Sequence, residues 1–251
     1  MSMILASVFT VATPTPLETP VGNQPYPTLV AHRGGGIMYP ESTLQAFRTA
    51  HAVNPTAMIE FDVWALKDGT LVVNHDRTVD RTAADGVTGN VADMTLAQWR
   101  KLRITDPQGG PPAPAATLQD VLDEFAGSDL VLVPEIKDAD RVDEFIEAVW
   151  PYRGQVVVQS LKRVVVERLA KTGLHTLQVT GVPETVDVVP GIYAICMKET
   201  KVTPTVIDRM RDHDVKLWSY TINDSGRANE LIDMGVDAIM TDDPTIQIGG
   251  A

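Results

Sequence analysis

From residue 28 onward, short apolar runs alternate with amphipathic stretches along the whole chain. The apolar runs predict strands at 28–32, 57–63, 70–75, 130–136, 155–160, 175–179, 192–197, 215–221 and 236–240. The stretches between them predict helices at 42–53, 96–102, 118–125, 141–150, 162–171, 204–213 and 225–234. Strands that are apolar on both sides need cover on both faces, which helices in the crossovers supply. The chain is therefore expected to form a parallel sheet wrapped in helices. Local signals agree: Leu44, Phe47 and Ala50 recur at helical spacing, Thr95 and Asp224 suit N-caps, and Gly173 and Gly235 suit the residue after a helix. An open doubly wound sheet and a closed barrel both satisfy the pattern. An open sheet usually binds a nucleotide through a G-x-G-x-x-G turn, and His32-Arg33-Gly34-Gly35-Gly36 lacks that spacing.

Nine strands are one too many for a barrel, and Asp68-Gly69 resolves the excess. Asp-Gly between two β-like runs signals a tight hairpin. A two-residue turn there sets Lys67 opposite Thr70 and, counting back, Asp62 opposite His75. Glu60 lies two residues before Asp62 and shares its face. The run 70–75 then reads as an excursion from the second strand, and the other eight strands form a TIM-type (β/α)8 barrel. Residues 76–129 are too long for an ordinary connection. They are expected to form a small, mostly helical insertion within a barrel domain of residues 28–251. Residues 1–27, rich in Pro and Thr toward their end, are expected to be an extended N-terminal arm.

Composition removes several function classes. With 251 residues, 44% of them hydrophobic, the chain can bury one large core. Its formal net charge of −12 speaks against nucleic acid as a partner and against docking on anionic membranes. No run is long enough to span a bilayer, so no stable membrane insertion is expected. No Lys or Arg precedes Arg33, which leaves the mildly apolar segment 3–12 without the charged start of an export signal. A cytoplasmic location is the expectation. The lone Cys196 has apolar neighbours and reads as a buried structural thiol. Nothing in the sequence specifies an oligomeric state.

Four strand ends carry polar residues: His32-Arg33, Glu60-Phe61-Asp62, His75-Asp76 and Glu135-Ile136-Lys137. Singly, each has a plain structural reading as an ion pair, a turn residue or a core histidine. A barrel brings strand C-termini to one face, so the four should meet there. Carboxylates inside apolar parallel strands are costly unless paired or bound to metal. Glu60, Asp62 and Glu135 form an oxygen-only set that suits one divalent cation, Mg²⁺ or Ca²⁺. His51, His175 and His213 read as structural.

The ordered motifs extend this. They are His32-Arg33-Gly34, Pro40-Glu41-Ser42-Thr43, Ile59-Glu60-Phe61-Asp62-Val63, the run 67–76, Arg81-Thr82, Glu135-Ile136-Lys137, Gln159-Ser160-Leu161, the run 218–223 and the run 235–244. In that order they resemble the glycerophosphodiester phosphodiesterase family, from about Leu29 to Pro244. The resemblance implies a phospholipase-C-like phosphodiesterase barrel and a cation held by Glu60, Asp62 and Glu135. It implies His32 and His75 as the acid/base pair, and Arg33, Lys137, Glu41 and Trp218 as substrate-binding residues. Ser42 stands where the family usually has Asn. The implied reaction is metal-dependent hydrolysis of a small glycerophosphodiester to glycerol 3-phosphate and an alcohol. The rival readings are a sphingomyelinase or lysophospholipase D-type phosphodiesterase on the same barrel, and a non-catalytic barrel that binds phosphodiesters.

Overall fold

The structure is a computed structural model that describes residues 21–181 and 187–249. Its strands are β1 (Thr28–Ala31), β2 (Met58–Ala65), β3 (Leu71–Val73), β4 (Arg103–Ile104), β5 (Ala113–Pro114) and β6 (Leu132–Ile136). They continue with β7 (Val157–Ser160), β8 (His175–Thr180), β9 (Ala194–Lys198), β10 (Lys216–Tyr220) and β11 (Ala238–Thr241). The helices are α1 (Leu44–Val53), α2 (Leu96–Trp99), α3 (Leu118–Phe125), α4 (Val142–Val149), α5 (Arg163–Ala170), α6 (Pro204–Asp212) and α7 (Ser225–Met234).

Eight strands are parallel and run round the ring in the order β1-β2-β6-β7-β8-β9-β10-β11. Pairing of β1 with both β2 and β11 closes the ring. The expected (β/α)8 barrel is therefore present. Alternation along each strand sorts its residues. On β2, Met58 joins the apolar cluster inside the ring, while Ile59, Phe61 and Val63 pack outward against α1, α3 and α4. Glu60 and Asp62 share the parity of Met58, so the inward row changes from apolar to acidic toward the strand's C-terminal end. Val157 and Gln159 repeat that change on β7. Thr95 and Asp224 cap α2 and α7 as expected.

Two expectations change. The β2–β3 hairpin pairs Val63 with Val73 and Ala65 with Leu71, one residue out of the predicted register. Its loop has three residues, Lys67-Asp68-Gly69, because Leu66 N–H donates to the Thr70 carbonyl at 2.8 Å. Gly69 has φ +88°, the left-handed residue that such a loop needs. A slip of one would face His75 away from Asp62 if pairing continued, but the ladder stops at Asn74. The Asn74 amide donates to the carbonyls of Asp76 and Thr78, and that turn carries the His75 imidazole to the site.

The insertion expected at 76–129 also differs. Helix α3 packs in the outer layer of the barrel through Leu118, Val121, Leu122 and Phe125. A separate cluster of Leu66, Val79, Met94, Trp99, Leu102 and Ala115 holds the excursion together. Its regular structure is short: β4, β5, the single turn of α2 and two 3-10 turns, Ala84–Gly86 and Val91–Asp93. We infer that the excursion proper ends near Ala115. Residues 1–20 of the expected arm lie outside the described residues; Val21 is buried in the interior cluster, and its N–H donates to the Gly154 carbonyl.

Gly34 and Gly35 follow His32-Arg33 just past the end of β1. They let the chain pass tightly over Phe47 and Pro244. A Cβ on Gly34 would lie 2.5 Å from Phe47 Cδ1, at a φ of +77°. Gly34→Ala should therefore cost about 2–4 kcal/mol of stability, from left-handed strain and overpacking. Urea unfolding should show this loss against Gly36→Ala, whose Cβ would meet nothing closer than 3.6 Å. Equal midpoints for the two variants would refute the packing role.

Candidate active site

The C-terminal ends of the strands surround a cavity of about 240 Å³. Its charged side comprises His32, Arg33, Glu60, Asp62, His75 and Glu135, joined by Lys137. Leu161, Val179, Met240 and Tyr220 supply an apolar side.

Each histidine is held by a carboxylate through Nδ1. His32 follows β1 and sits 2.6 Å from Asp242 Oδ1, and its Nε2 lies 3.9 Å from Glu60 Oε2. Asn223 fixes Asp242 from the far side, accepting its N–H at 2.8 Å and donating to Oδ2 at 3.3 Å. His75 Nδ1 lies 2.7 Å from Asp76 Oδ1. In both, the second ring nitrogen is left for chemistry.

Glu60, Asp62 and Glu135 each offer an oxygen, all within 4.8 Å of one another. The Arg33 N–H donates to Glu60 Oε2 at 3.0 Å, and the Gln159 amide to Glu60 Oε1 at 2.9 Å. Lys137 Nζ lies 2.7 Å from Asp62 and 2.9 Å from Glu135. Asp62 Oδ2 is buried with no hydrogen-bond partner. Burial, then repulsion from Asp62, pushes the Glu60 and Glu135 carboxyls well above the usual range. For Lys137 burial works downward, but Asp62 and Glu135 outweigh it and raise the ammonium. Three crowded carboxylates, one with an orphaned oxygen, fit a hard divalent cation.

Burial alone would lower the His32 pKa, yet the bond to Asp242 and the charge of Glu60 raise it above 6.5. Asp242 is held below the usual carboxylate range: His32 and Asn223 outweigh its burial. Asp242→Asn keeps a hydrogen bond and removes the charge. His32 should then titrate at lower pH, as followed by NMR of the imidazole protons. The sign follows from the raised value: the charged imidazole stabilises the fold below pH 6.5, and this is lost as pH rises through the folded pKa. An unchanged His32 titration in the variant would refute the pairing.

Two expected substrate contacts fall elsewhere. Trp218 is fully buried in the interior cluster and does not line the cavity; Tyr220, two residues on along β10, does. Glu41 is also absent from the cavity wall. Its carboxylate takes a bidentate pair of bonds from Arg81, each 2.7 Å, and lies 3.4 Å from Arg33 Nη1. Neighbouring Ser42 has φ +59°, a conformation that Asn adopts more readily, which gives a backbone reason for the family's usual residue.

A family model described as the glycerophosphoryl diester phosphodiesterase family matches residues 32–174. The chain belongs to this family. It is 30% identical to a glycerophosphodiester phosphodiesterase of Caldanaerobacter subterraneus, over 86% of this chain and 94% of that one. A Bacillus subtilis glycerophosphodiester phosphodiesterase is 29% identical over 86% and 84%. Among solved structures, an Oleispira antarctica phosphodiesterase in complex with the product sn-glycerol-3-phosphate superposes with a TM-score of 0.77. It has 19% identity and covers 91% and 97% of the two chains. A glycerophosphoryl diester phosphodiesterase fold from Silicibacter pomeroyi gives 0.75 at 23% identity, over 86% and 90%.

Within this glycerophosphoryl diester phosphodiesterase chain, four contributors lie in the sequence motifs without a role assigned there. Asp242 and Gln159 are accessible from the sequence: each continues the inward parity of its strand, Met240 to Asp242 and Val157 to Gln159. Tyr220 shares the parity of Trp218. Arg81 lies in an aperiodic loop, and no spacing rule assigns its partners. Cys196 is buried as expected, with burial and then Glu60 and Glu135 pushing its thiol far up, so it is no nucleophile.

Proposed function

We propose that this chain hydrolyses glycerophosphodiesters to glycerol 3-phosphate and an alcohol, with His32 and His75 as the acid/base pair. One observation carries the reading. Two carboxylate-held imidazoles face one cavity that also holds a carboxylate triad and two cationic side chains. The product named for the Oleispira antarctica relative supports it. Glu60, Asp62 and Glu135 would hold one Mg²⁺ or Ca²⁺. That ion, when bound, supplies Lewis-acid polarisation of a phosphoryl oxygen.

The chain's own groups do the rest. The Arg33 guanidinium offsets the diester charge, most strongly as charge builds on the phosphoryl oxygens. Lys137 adds a second positive charge once its ammonium turns from Asp62 and Glu135 toward the phosphate. One imidazole accepts the proton of the nucleophile, either water itself or the neighbouring glycerol hydroxyl with water then opening the cyclic phosphate, and the other donates a proton to the leaving alcohol. They must start in opposite protonation states. No helix among the described residues is long and apolar enough to cross a membrane.

The apolar wall favours one second reading. Leu161 is 56% exposed at the rim, beside Val179 and Met240, so a leaving group with an acyl chain would find apolar surface. A panel of glycerophosphocholine, glycerophosphoethanolamine, glycerophosphoinositol and lysophosphatidylcholine, run with Mg²⁺ or Ca²⁺, separates the readings. Faster turnover of lysophosphatidylcholine would replace the first with the second. Binding without turnover of any of them would sink both.

A further inference from the structure

The geometry points to Arg81 as a positioning residue that sets the His75 imidazole from outside the cavity; this rests on the two-histidine reading. Its guanidinium uses all three of its nitrogens. Nε donates to Asp76 Oδ2 at 2.6 Å, and Nη1 and Nη2 donate to the two oxygens of Glu41 at 2.7 Å each. Asp76 is thereby shared, with Oδ1 on His75 and Oδ2 on Arg81. Glu41 is the anchor at the other end: it is only 11% exposed, and it also lies against Arg33.

The contacts form one line, Arg33 to Glu41 to Arg81 to Asp76 to His75. It crosses between two separate pieces of chain, the loop after β1 and the excursion after β3. His75 lies just past the end of its ladder, so pairing between strands does not fix it. Besides this line, the Trp64 indole N–H holds the His75 carbonyl at 3.1 Å. That bond sets the backbone and leaves the ring free to turn. The ring is set through Asp76, and Asp76 is set through Arg81. A planar fork with three fixed donors performs this where a single ammonium cannot.

The test is steady-state kinetics on glycerophosphocholine with saturating Mg²⁺. Arg81→Gln should lower kcat roughly 10–100-fold, the cost of a small misplacement at the reacting centre, with KM little changed. In an Asp76→Asn background the same substitution should add little further loss. Mg²⁺ affinity, read by calorimetry, should stay at the wild-type level. If Arg81→Gln is insoluble, Arg81→Lys reads the same point: its kcat should still fall, because a single compact nitrogen cannot span Asp76 and both Glu41 oxygens as the planar guanidinium does.

A kcat within twofold of wild type overturns the inference. So does a raised KM at constant kcat, which would make Arg81 a direct substrate contact. Full additivity with Asp76→Asn, or a parallel loss of Mg²⁺ affinity, also overturns it. His75→Ala keeps the two levels apart. If that variant is fully active, the two-histidine reading itself fails. If it is inactive while Arg81→Gln is normal, only the role of Arg81 fails.

Discussion

His32→Ala and His75→Ala should each lower kcat by about 10²–10⁴-fold, the usual worth of a positioned acid or base. Mg²⁺ binding should survive in both, because neither imidazole belongs to the carboxylate triad. The two losses should not add when the substitutions are combined, since either proton transfer alone leaves the other without its counterpart. Asp242→Asn should do less damage than His32→Ala, since the amide still orients Nδ1. Single-turnover assays with glycerophosphocholine read these effects directly. If either alanine variant keeps kcat within about tenfold of wild type, well short of that range, its histidine is not in the proton path.

The second large effect concerns the triad, and it separates stability from function. Glu60, Asp62 and Glu135 crowd three carboxylates into a buried space that holds a single ammonium. In metal-free protein, Glu60→Gln removes one of the crowded carboxyls; its amide oxygen can still accept the Arg33 N–H, while its NH2 replaces the oxygen that accepted from Gln159. It should stabilise the metal-free fold by about 1–2 kcal/mol, as relief of a strained site commonly does. That corresponds to a rise in Tm of roughly 2–8 °C for a chain of this size. The same variant should bind Mg²⁺ at least about 100-fold more weakly, beyond the loss typical of an outer-shell contact. Scanning calorimetry with and without Mg²⁺ measures both. A chelator should abolish turnover in wild type. Unchanged Mg²⁺ affinity in Glu60→Gln would remove Glu60 from the ligand set, and full activity in chelator would remove the ion from the reaction.

The barrel was legible because its parallel strands are encoded as apolar runs and its helices by apolar spacing, as at Leu44, Phe47 and Ala50. The acidic triad was legible for a related reason: a carboxylate in an otherwise apolar strand stands out. What escaped was set by other physics. The hairpin register turned on whether Lys67 belongs to the loop, a difference of one residue that Asp-Gly alone does not encode. The family resemblance placed Trp218 at the cavity, but depth along β10 decides the matter, and Tyr220 is one inward step nearer the mouth. Glu41 was read as a ligand for substrate because its partner, Arg81, sits 40 residues away in a loop without period. Pairings of that kind are fixed by tertiary closure and leave no local trace.

The bond between His32 and Asp242 has a consequence for how the protein is made. It joins residues 210 positions apart, across the seam where β1 meets β11. A chain still emerging from the ribosome has its first histidine, its arginine and its triad long before it has Asp242. The oriented imidazole exists only after the final strand has docked against the first. The Nδ1 contact of His32 thus depends on completion of the ring, and a chain cut short before β11 would lack it.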